Sequence, residues 1–248
     1  MPAKTVDEVI QKLDVIIDQS YWQKSRLGYF AALYRKVTVE VKKGIKSGFF
    51  NDGERMECFD VVFANRYFDA LVQYQSNVVP KKSWQLAFEA SKHFWPIVLQ
   101  HLLLGMNSHI NLDLGIAAAI TSPKDSIFDL KEDFNKINDI LASLVDEMQR
   151  KLAHIWPFLN LLDAIGGRTD EALINFSMER ARDQAWKLAL DLAPLEQNEQ
   201  NPIISSLDKD IAMLARKIQN PGLIASAAIK IIRLGERGSI PQIIDMLR

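Results

Sequence analysis

The sequence has little of several features that mark common classes of protein. It contains one cysteine, Cys58, which excludes an intramolecular disulfide and suits a reducing compartment. The formal net charge is −1, so the chain lacks the basic face of a typical nucleic-acid-binding protein, and we expect no nucleic-acid partner. The first segment, "MPAKTVDEVI", has no apolar core before a small-residue cleavage site. We therefore expect a cytoplasmic protein without a signal peptide.

Motifs of familiar chemistry are missing too. There is no P-loop, GxGxxG, GxSxG or clustered CxxC, which removes the most common nucleotide-binding, hydrolase and zinc-ribbon classes. The four histidines form no HExxH or ExxH motif. The apolar stretch at 94–120 is interrupted by polar residues, whereas a membrane-spanning helix needs about 20 mostly apolar residues. We interpret this stretch as a buried helix and expect no membrane association.

Helical periodicity runs along almost the whole chain. Hydrophobic residues make up 48% and charged residues 25%, typical of a globular protein that can bury a sizeable core. The segment "KVTVEV" at 36–41 is the best strand candidate, but it lies inside a longer helical pattern. Apolar residues recurring every three or four positions predict helices at residues 5–19, 27–47, 54–76, 83–94, 97–120, 126–152, 169–193, 203–218 and 222–234.

These segments predict an all-α fold, a single multi-helix bundle around a central buried helix at 97–120. The polar stretch "PLEQNEQNP" at 194–202 is the predicted linker. It divides the chain into a main helical domain, 1–195, and a short C-terminal helical hairpin, 203–248, packed on the main domain.

One predicted helix has an unusually regular apolar stripe. Its spacing of three and four residues is that of a coiled coil or a four-helix bundle, at Ile127, Leu130, Phe134, Ile137, Leu141, Leu144 and Met148. We expect the stripe to face the protein's own core, because an all-helical chain needs no second copy to cover it. A homodimer through this stripe is the alternative to a monomer.

The segment "GMNSHINLDL", 105–114, places hydrogen-bonding side chains inside the most apolar part of the chain. His109 and Asp113 are one helical turn apart, so both could contact one ion or pair with each other. Buried carboxylates and imidazoles must be paired, hydrogen-bonded or bound to a metal. His101, about 12 Å from His109 along a helix axis, is expected to support a neighbouring pocket residue or to line a separate part of a pocket. Asn107 and Asn111 lie roughly on the opposite side of the helix.

Two other helices carry carboxylates on their apolar stripes. Asp60 lies in one stripe, and Glu179 and Asp183 lie in another that includes Trp186. Helical bundles build metal sites from such groups on facing helices. His109, Asp113, Glu179 and Asp183 are therefore the candidate ligands of a divalent metal such as Zn, Fe or Mn.

The same groups also fit a closed structural network. In that alternative, the network consists of buried His–Asp and Arg–carboxylate pairs. The arginines Arg66, Arg180 and Arg182 neutralise the carboxylates Asp60, Glu179 and Asp183, in that order. The predicted pocket, whichever alternative holds, contains Asp60, Tyr67, His101, Asn107, His109, Asn111, Asp113, Glu179, Asp183 and Trp186.

"GMNSHINLDL", with upstream "FANRYFDAL" (63–71) and downstream "RARDQAW" (180–186), resembles the signature of a bacterial all-helical family, a domain of unknown function. The resemblance spans residues 25–195 and implies a helical domain, but no activity.

Three functions remain open. The first is a structural polar network or a pocket for a small molecule, lined by aromatic residues that include Phe30, Tyr34, Phe63 and Tyr67. The second is a metal-dependent hydrolase or oxidase. The third is an interaction module that uses the stripe at 127–148. The sequence does not decide whether the protein is an enzyme.

Overall fold

The structure, a computed structural model, describes residues 1–155 and 178–248, with residues 142, 143 and 145–155 described by their backbone alone. It is 81% helical, and the described ranges contain no strand. The predicted all-α fold is therefore confirmed. None of the helices in these ranges is long and apolar enough to cross a membrane.

Within each of the two described ranges, the helices follow one another through short connections. In chain order they are α1 (Val6–Trp22), α2 (Leu27–Ser47), α3 (Gly53–Gln75), α4 (Lys82–Ala90), α5 (Val98–Ser108), a π-helical turn (His109–Leu114), α6 (Gly115–Thr121), a 3₁₀ turn (Lys124–Ser126), α7 (Ile127–Ile155), α8 (Met178–Leu192), α9 (Gln197–Gln219), α10 (Leu223–Gly235) and α11 (Ile240–Leu247).

Most of these bounds lie within a few residues of the predicted ones, and the segment "KVTVEV" is part of α2 as predicted. Helix α9 differs, because it begins inside the predicted linker. There the Glu199 carboxylate accepts a hydrogen bond from the backbone N–H of Glu196, and this cap extends the helix into the polar stretch. Helix α11 was not predicted, and the predicted helical residues 169–177 lie outside the described residues.

Helix α5, the π-helical turn and α6 form one continuous central element, as predicted. Nearly every residue between Val98 and Ala119 is buried, because helices α2, α3, α4, α8 and α9 surround the element. In a π-helical turn, each backbone hydrogen bond spans one residue more than in an α-helix. Such turns are frequent at functional sites. Here it coincides with the segment that carries His109 and Asp113.

Two glycines let neighbouring helices approach this central element closely. A Cβ atom on Gly105 would lie 2.4 Å from the ring of Phe30 on α2. A Cβ atom on Gly115 would lie 2.5 Å from the backbone oxygen of Ala185 on α8. Since real Cβ atoms do not approach other atoms this closely, both positions require glycine for the observed packing.

The stripe of α7 faces the core as expected over its described part. Ile127, Leu130, Phe134, Ile137 and Leu144 are buried, and Leu141 is partly buried and packs against the core. The side chain of Met148 lies outside the described residues.

The C-terminal helices pack on the rest of the bundle at two places. Helix α9 contacts α4 and α5, and α11 contacts α1, α2 and α7. Asp208 on α9 strengthens the first contact by accepting hydrogen bonds from the backbone N–H groups of Lys82 and Ser83 at the start of α4. The division into domains 1–195 and 203–248 stays a prediction.

Candidate functional site

A cavity of about 320 Å³ lies inside the bundle, bordered by α2, α3, α5, the π-helical turn, α7 and α8. Its wall is mainly apolar and includes Leu33, Leu103, Met106 and Ile137. The described residues of this wall also include four side chains with polar groups: Tyr34, Asp60, His109 and Arg182. A mainly apolar wall with a few polar groups is typical of a ligand pocket.

The imidazole of His109 is enclosed by aromatic rings. It stacks on Phe63, with the two ring centroids 3.6 Å apart and the ring planes 6° from parallel. The ring of Tyr34 meets it edge-on at a centroid distance of 4.6 Å. Burial lowers the pKa of His109 below its ordinary value, although Asp113 acts in the opposite direction. The imidazole is therefore neutral at pH 7.

Asp113 lies four residues further along the π-helical turn and faces one edge of this imidazole. Its Oδ2 atom is 3.4 Å from His109 Nδ1 and accepts a hydrogen bond of 2.8 Å from Trp84 Nε1. Its Oδ1 atom accepts a hydrogen bond of 2.9 Å from Arg66 Nε. Burial acts to raise the pKa of Asp113, but the Arg66 guanidinium and the hydrogen-bond donors hold it below its usual range. Asp113 is therefore a buried carboxylate anion.

The ionised Asp113 determines which nitrogen of His109 carries the proton. Because a carboxylate only accepts hydrogen bonds, Nδ1 of His109 must be the donor, and Nε2 of the neutral ring then has a lone pair. This Nε2 atom is buried, and none of the described residues hydrogen-bonds to it. His109 therefore has an unused acceptor, which is buried within the packing although the residue lines the cavity.

Asp60 on α3 and Tyr34 on α2 also line the cavity, although Asp60 Oδ2 and Tyr34 Oη are themselves buried in the surrounding packing. Asp60 Oδ2 has no hydrogen-bond partner within the described ranges, whereas the Tyr34 hydroxyl interacts with the side chain of Thr38. Burial, with a smaller contribution from the charge of Glu57, raises the pKa of Asp60 to about 7. Burial also raises the pKa of Tyr34, so this hydroxyl keeps its proton. Both groups can thus donate a hydrogen bond near neutral pH.

Arg182 on α8 brings a buried cation to the same wall. Only 3% of the residue is exposed, and its guanidinium lies 4.5 Å above the ring of Phe134 and donates to the Phe134 carbonyl. Burial lowers its pKa to about 10, which leaves it charged at pH 7. Sequence reasoning placed Arg182 only in an ion pair. Its position on the buried face of α8, beside Ala181 and Ala185, is the signal that could have identified it.

The structure brings some of the predicted pocket residues together. Asp60 and His109 both line the cavity, and Asp113 holds the ring of His109. Arg66, expected to neutralise Asp60, instead pairs with Asp113. The predicted pair was wrong because the central element, packed against α3, supplies Asp113 as the acceptor for Arg66.

Asn107 and Asn111 serve a different contact. Asn111 Nδ2 donates to Asn107 Oδ1 at 2.9 Å, and Asn107 Nδ2 donates to the backbone oxygen of Ile211 at 3.1 Å. The two side chains therefore fasten the central element to α9.

Tyr67, His101 and Trp186 also lie apart from the cavity wall described above. Tyr67 and His101 line a second, much smaller space of about 20 Å³, which is enough for roughly one water molecule. Burial lowers the pKa of His101 to about 3. Trp186 is partly buried and packs against Phe134 at a ring-centroid distance of 5.0 Å.

Glu179 and Asp183 are exposed, and the structure does not bring them to His109. The buried face of α8 instead runs through smaller apolar residues and Arg182, so the two carboxylates point to solvent. Within the described residues, no three His, Cys, Asp or Glu side chains come together as a metal site would require.

Fold and site define an all-α protein with a mainly apolar cavity between its helices and a buried His–Asp pair. A family model matches residues 6–221, and the chain belongs to this family of unknown function, DUF5995. The resemblance expected from the sequence is thereby confirmed, and the match includes every cavity residue named above. No curated protein and no solved structure matches the chain.

Proposed function

We propose that the protein binds a small, mainly apolar molecule in the cavity. The observation that carries this proposal is the mainly apolar wall around about 320 Å³ of space between the helices.

The size of the cavity supports this proposal. Ligand pockets in proteins have volumes of about 300–1,000 Å³, and the cavity falls at the lower end of this range.

The alternatives have less support. A metal-dependent hydrolase or oxidase needs several ligands around one ion, but Glu179 and Asp183 lie on the solvent side of α8. An interaction module or homodimer through the α7 stripe needs that stripe exposed, but its described part is largely buried within the chain.

Binding of the neutral fluorescent probe N-phenyl-1-naphthylamine tests the proposal. We expect saturable binding of one probe per chain, with an increase in its emission because the cavity wall is mainly apolar. The variant Leu33→Trp extends a bulky ring from the cavity wall, and it should abolish binding.

Leu214→Trp is the matched control, because Leu214 is also partly buried but packs elsewhere in the core, on α9. It should bind the probe as the unmodified protein does. Equal binding by both variants, or no saturable binding by the unmodified protein, contradicts the proposal.

A further inference from the structure

We propose that the protein binds the surface of anionic lipid membranes through an exposed apolar face of α10 and two aromatic residues beside it. We call this surface the α10 patch, and its residues are Phe94, Trp95, Leu223, Ile224, Ile231 and Leu234. The proposal is independent of the proposed function, because none of these residues lines the cavity.

Helix α10 carries apolar side chains around most of its circumference. The side that faces the bundle is buried and consists of Ala225, Ala228, Ile229 and Ile232. At about 100° per residue, four large apolar residues fall within an arc of about 100° on the opposite side. Their exposed fractions are 93% for Leu223, 64% for Ile224, 55% for Ile231 and 72% for Leu234. A helix that is apolar in most directions is normally covered on all sides. The described residues cover α10 on one side only, so its exposed face marks an interaction site.

Two aromatic residues before α5 extend this exposed face. The guanidinium of Arg233 lies 4.5 Å from the centroid of the Phe94 ring, and its Nε donates to the Phe94 carbonyl at 2.6 Å. The Lys230 ammonium lies 5.6 Å from the centroid of the Trp95 ring. Both rings are about half exposed. Exposed aromatic and aliphatic side chains next to lysine and arginine are typical of surfaces that insert into the headgroup region of a membrane.

The charge around the patch has one sign. Residues 91–98 and 220–240 contain four basic residues and a single carboxylate, Glu236. The Glu236 side chain is 1% exposed and pairs with Arg233 at 2.6 Å, whereas Lys92, Lys230 and Arg237 are exposed. These two segments therefore present positive charge to solvent, which complements anionic headgroups. The net charge of −1, on which we expected no membrane association, averages over this local excess.

The shape and charge of the patch favour a membrane over a second copy of the chain. A symmetric dimer through the patch would bring two positively charged surfaces together. The exposed side chains of Leu223 and Leu234 stand out from the helix and do not line a groove. A lipid layer deforms around protruding side chains and supplies the anions at the same surface.

Co-sedimentation with lipid vesicles tests this inference. One set of vesicles contains phosphatidylcholine alone, and the other contains equal parts of phosphatidylcholine and phosphatidylglycerol. We expect a partition coefficient at least about tenfold higher for the anionic vesicles, since each basic residue near the surface contributes to attraction. Added salt should lower it, because salt screens exposed charges.

Paired variants locate the binding surface. Phe94→Gln and Leu234→Gln should each lower the partition coefficient about tenfold, because each removes an apolar side chain from the lipid contact. Phe128→Gln is the matched control, since Phe128 is 65% exposed but lies on α7. Helix α7 meets the C-terminal end of α2 through the hydrogen bond from Asn51 N–H to Asp133. The patch lies towards the other end of α2, where Arg26 donates to the Ser91 carbonyl.

A second pair of variants separates the charge from the apolar contact. Replacing Lys230 and Arg237 together with glutamine should remove most of the preference for anionic vesicles. Replacing Lys43 and Lys46 together with glutamine changes the net charge equally at the far end of α2 and should keep the preference.

The absence of binding to anionic vesicles overturns the inference, and so do equal losses in the patch variants and their controls. A dimer of the unmodified protein that Leu234→Gln abolishes in analytical ultracentrifugation overturns it in favour of a second copy on the patch. Circular dichroism checks that the variants remain folded, as expected for substitutions of exposed residues.

Discussion

Replacing Asp113 with asparagine should destabilise the fold by about 3 kcal/mol. Asparagine has the same shape, but its amide N–H group would face the donors of Arg66, Trp84 or His109. Removing one partner of a buried ion pair typically costs about 3–5 kcal/mol. We expect the lower end, because the Arg66 side chain is 24% exposed and can regain some hydration.

Asp60→Asn is the matched control. Asp60 is also a buried carboxylate near the cavity, but its Oδ2 has no hydrogen-bond partner in the ranges that the structure describes. The replacement breaks no ion pair and removes a charge that burial disfavours. The free energy of unfolding at pH 7 should therefore stay the same or increase.

A double variant shows whether Asp113 acts through His109 alone. If it did, His109→Phe combined with Asp113→Asn would restore stability, because neither partner would be left without the other. Arg66 and Trp84 remain in the double variant and still lack their acceptor. We therefore expect it to be at least as unstable as Asp113→Asn.

Urea denaturation followed by far-UV circular dichroism measures these differences, and equal m-values would show that the unfolded states are comparable. A double variant as stable as the unmodified protein would refute the reasoning. Equal losses for Asp113→Asn and Asp60→Asn would do the same.

Three further predictions concern pH and packing. The folded-state pKa of Asp60 is about 7, above its ordinary value of 3.8. The stability that this group contributes is therefore full below pH 3.8 and is lost as the pH rises towards 7. Asp60→Asn should flatten the dependence of Tm on pH over this range. An unchanged pH profile in the variant contradicts this. Gly105→Ala should lower the free energy of unfolding by about 1–3 kcal/mol in urea denaturation, because the added methyl group meets a ring on α2. Gly53→Ala, whose added methyl group has its nearest contact at 3.5 Å, should be close to neutral. Equal effects of the two variants would be inconsistent with the packing. Asp208→Ala should lower the free energy of unfolding by about 1–3 kcal/mol, because it leaves the N-terminus of α4 uncapped. Asp210 is exposed, so Asp210→Ala should leave stability unchanged. Urea denaturation of the two variants checks this difference.

The sequence by itself determined the helices and the position of the central one. Helix formation and burial depend on residues three or four positions apart, so the apolar repeats of α2, α3 and α7 carry that information locally. The central helix was predictable because apolar side chains point in almost every direction around its axis. Such a helix must be covered by other elements on all sides. The polar segment at 105–114 could also be recognised locally, because its hydrogen-bonding side chains interrupt an apolar stretch.

The tertiary structure alone decided what the polar residues do. Asp113 takes its hydrogen bonds from Arg66 and Trp84, which are 47 and 29 residues away in sequence, and no local pattern specifies such partners. Glu179 and Asp183 turn outward because close packing at Gly115 against Ala185 sets the rotation of α8. The cavity lies where the described side chains of six helical elements leave space between them. Volumes of this kind depend on the positions of all the helices together, and no single helix contains them.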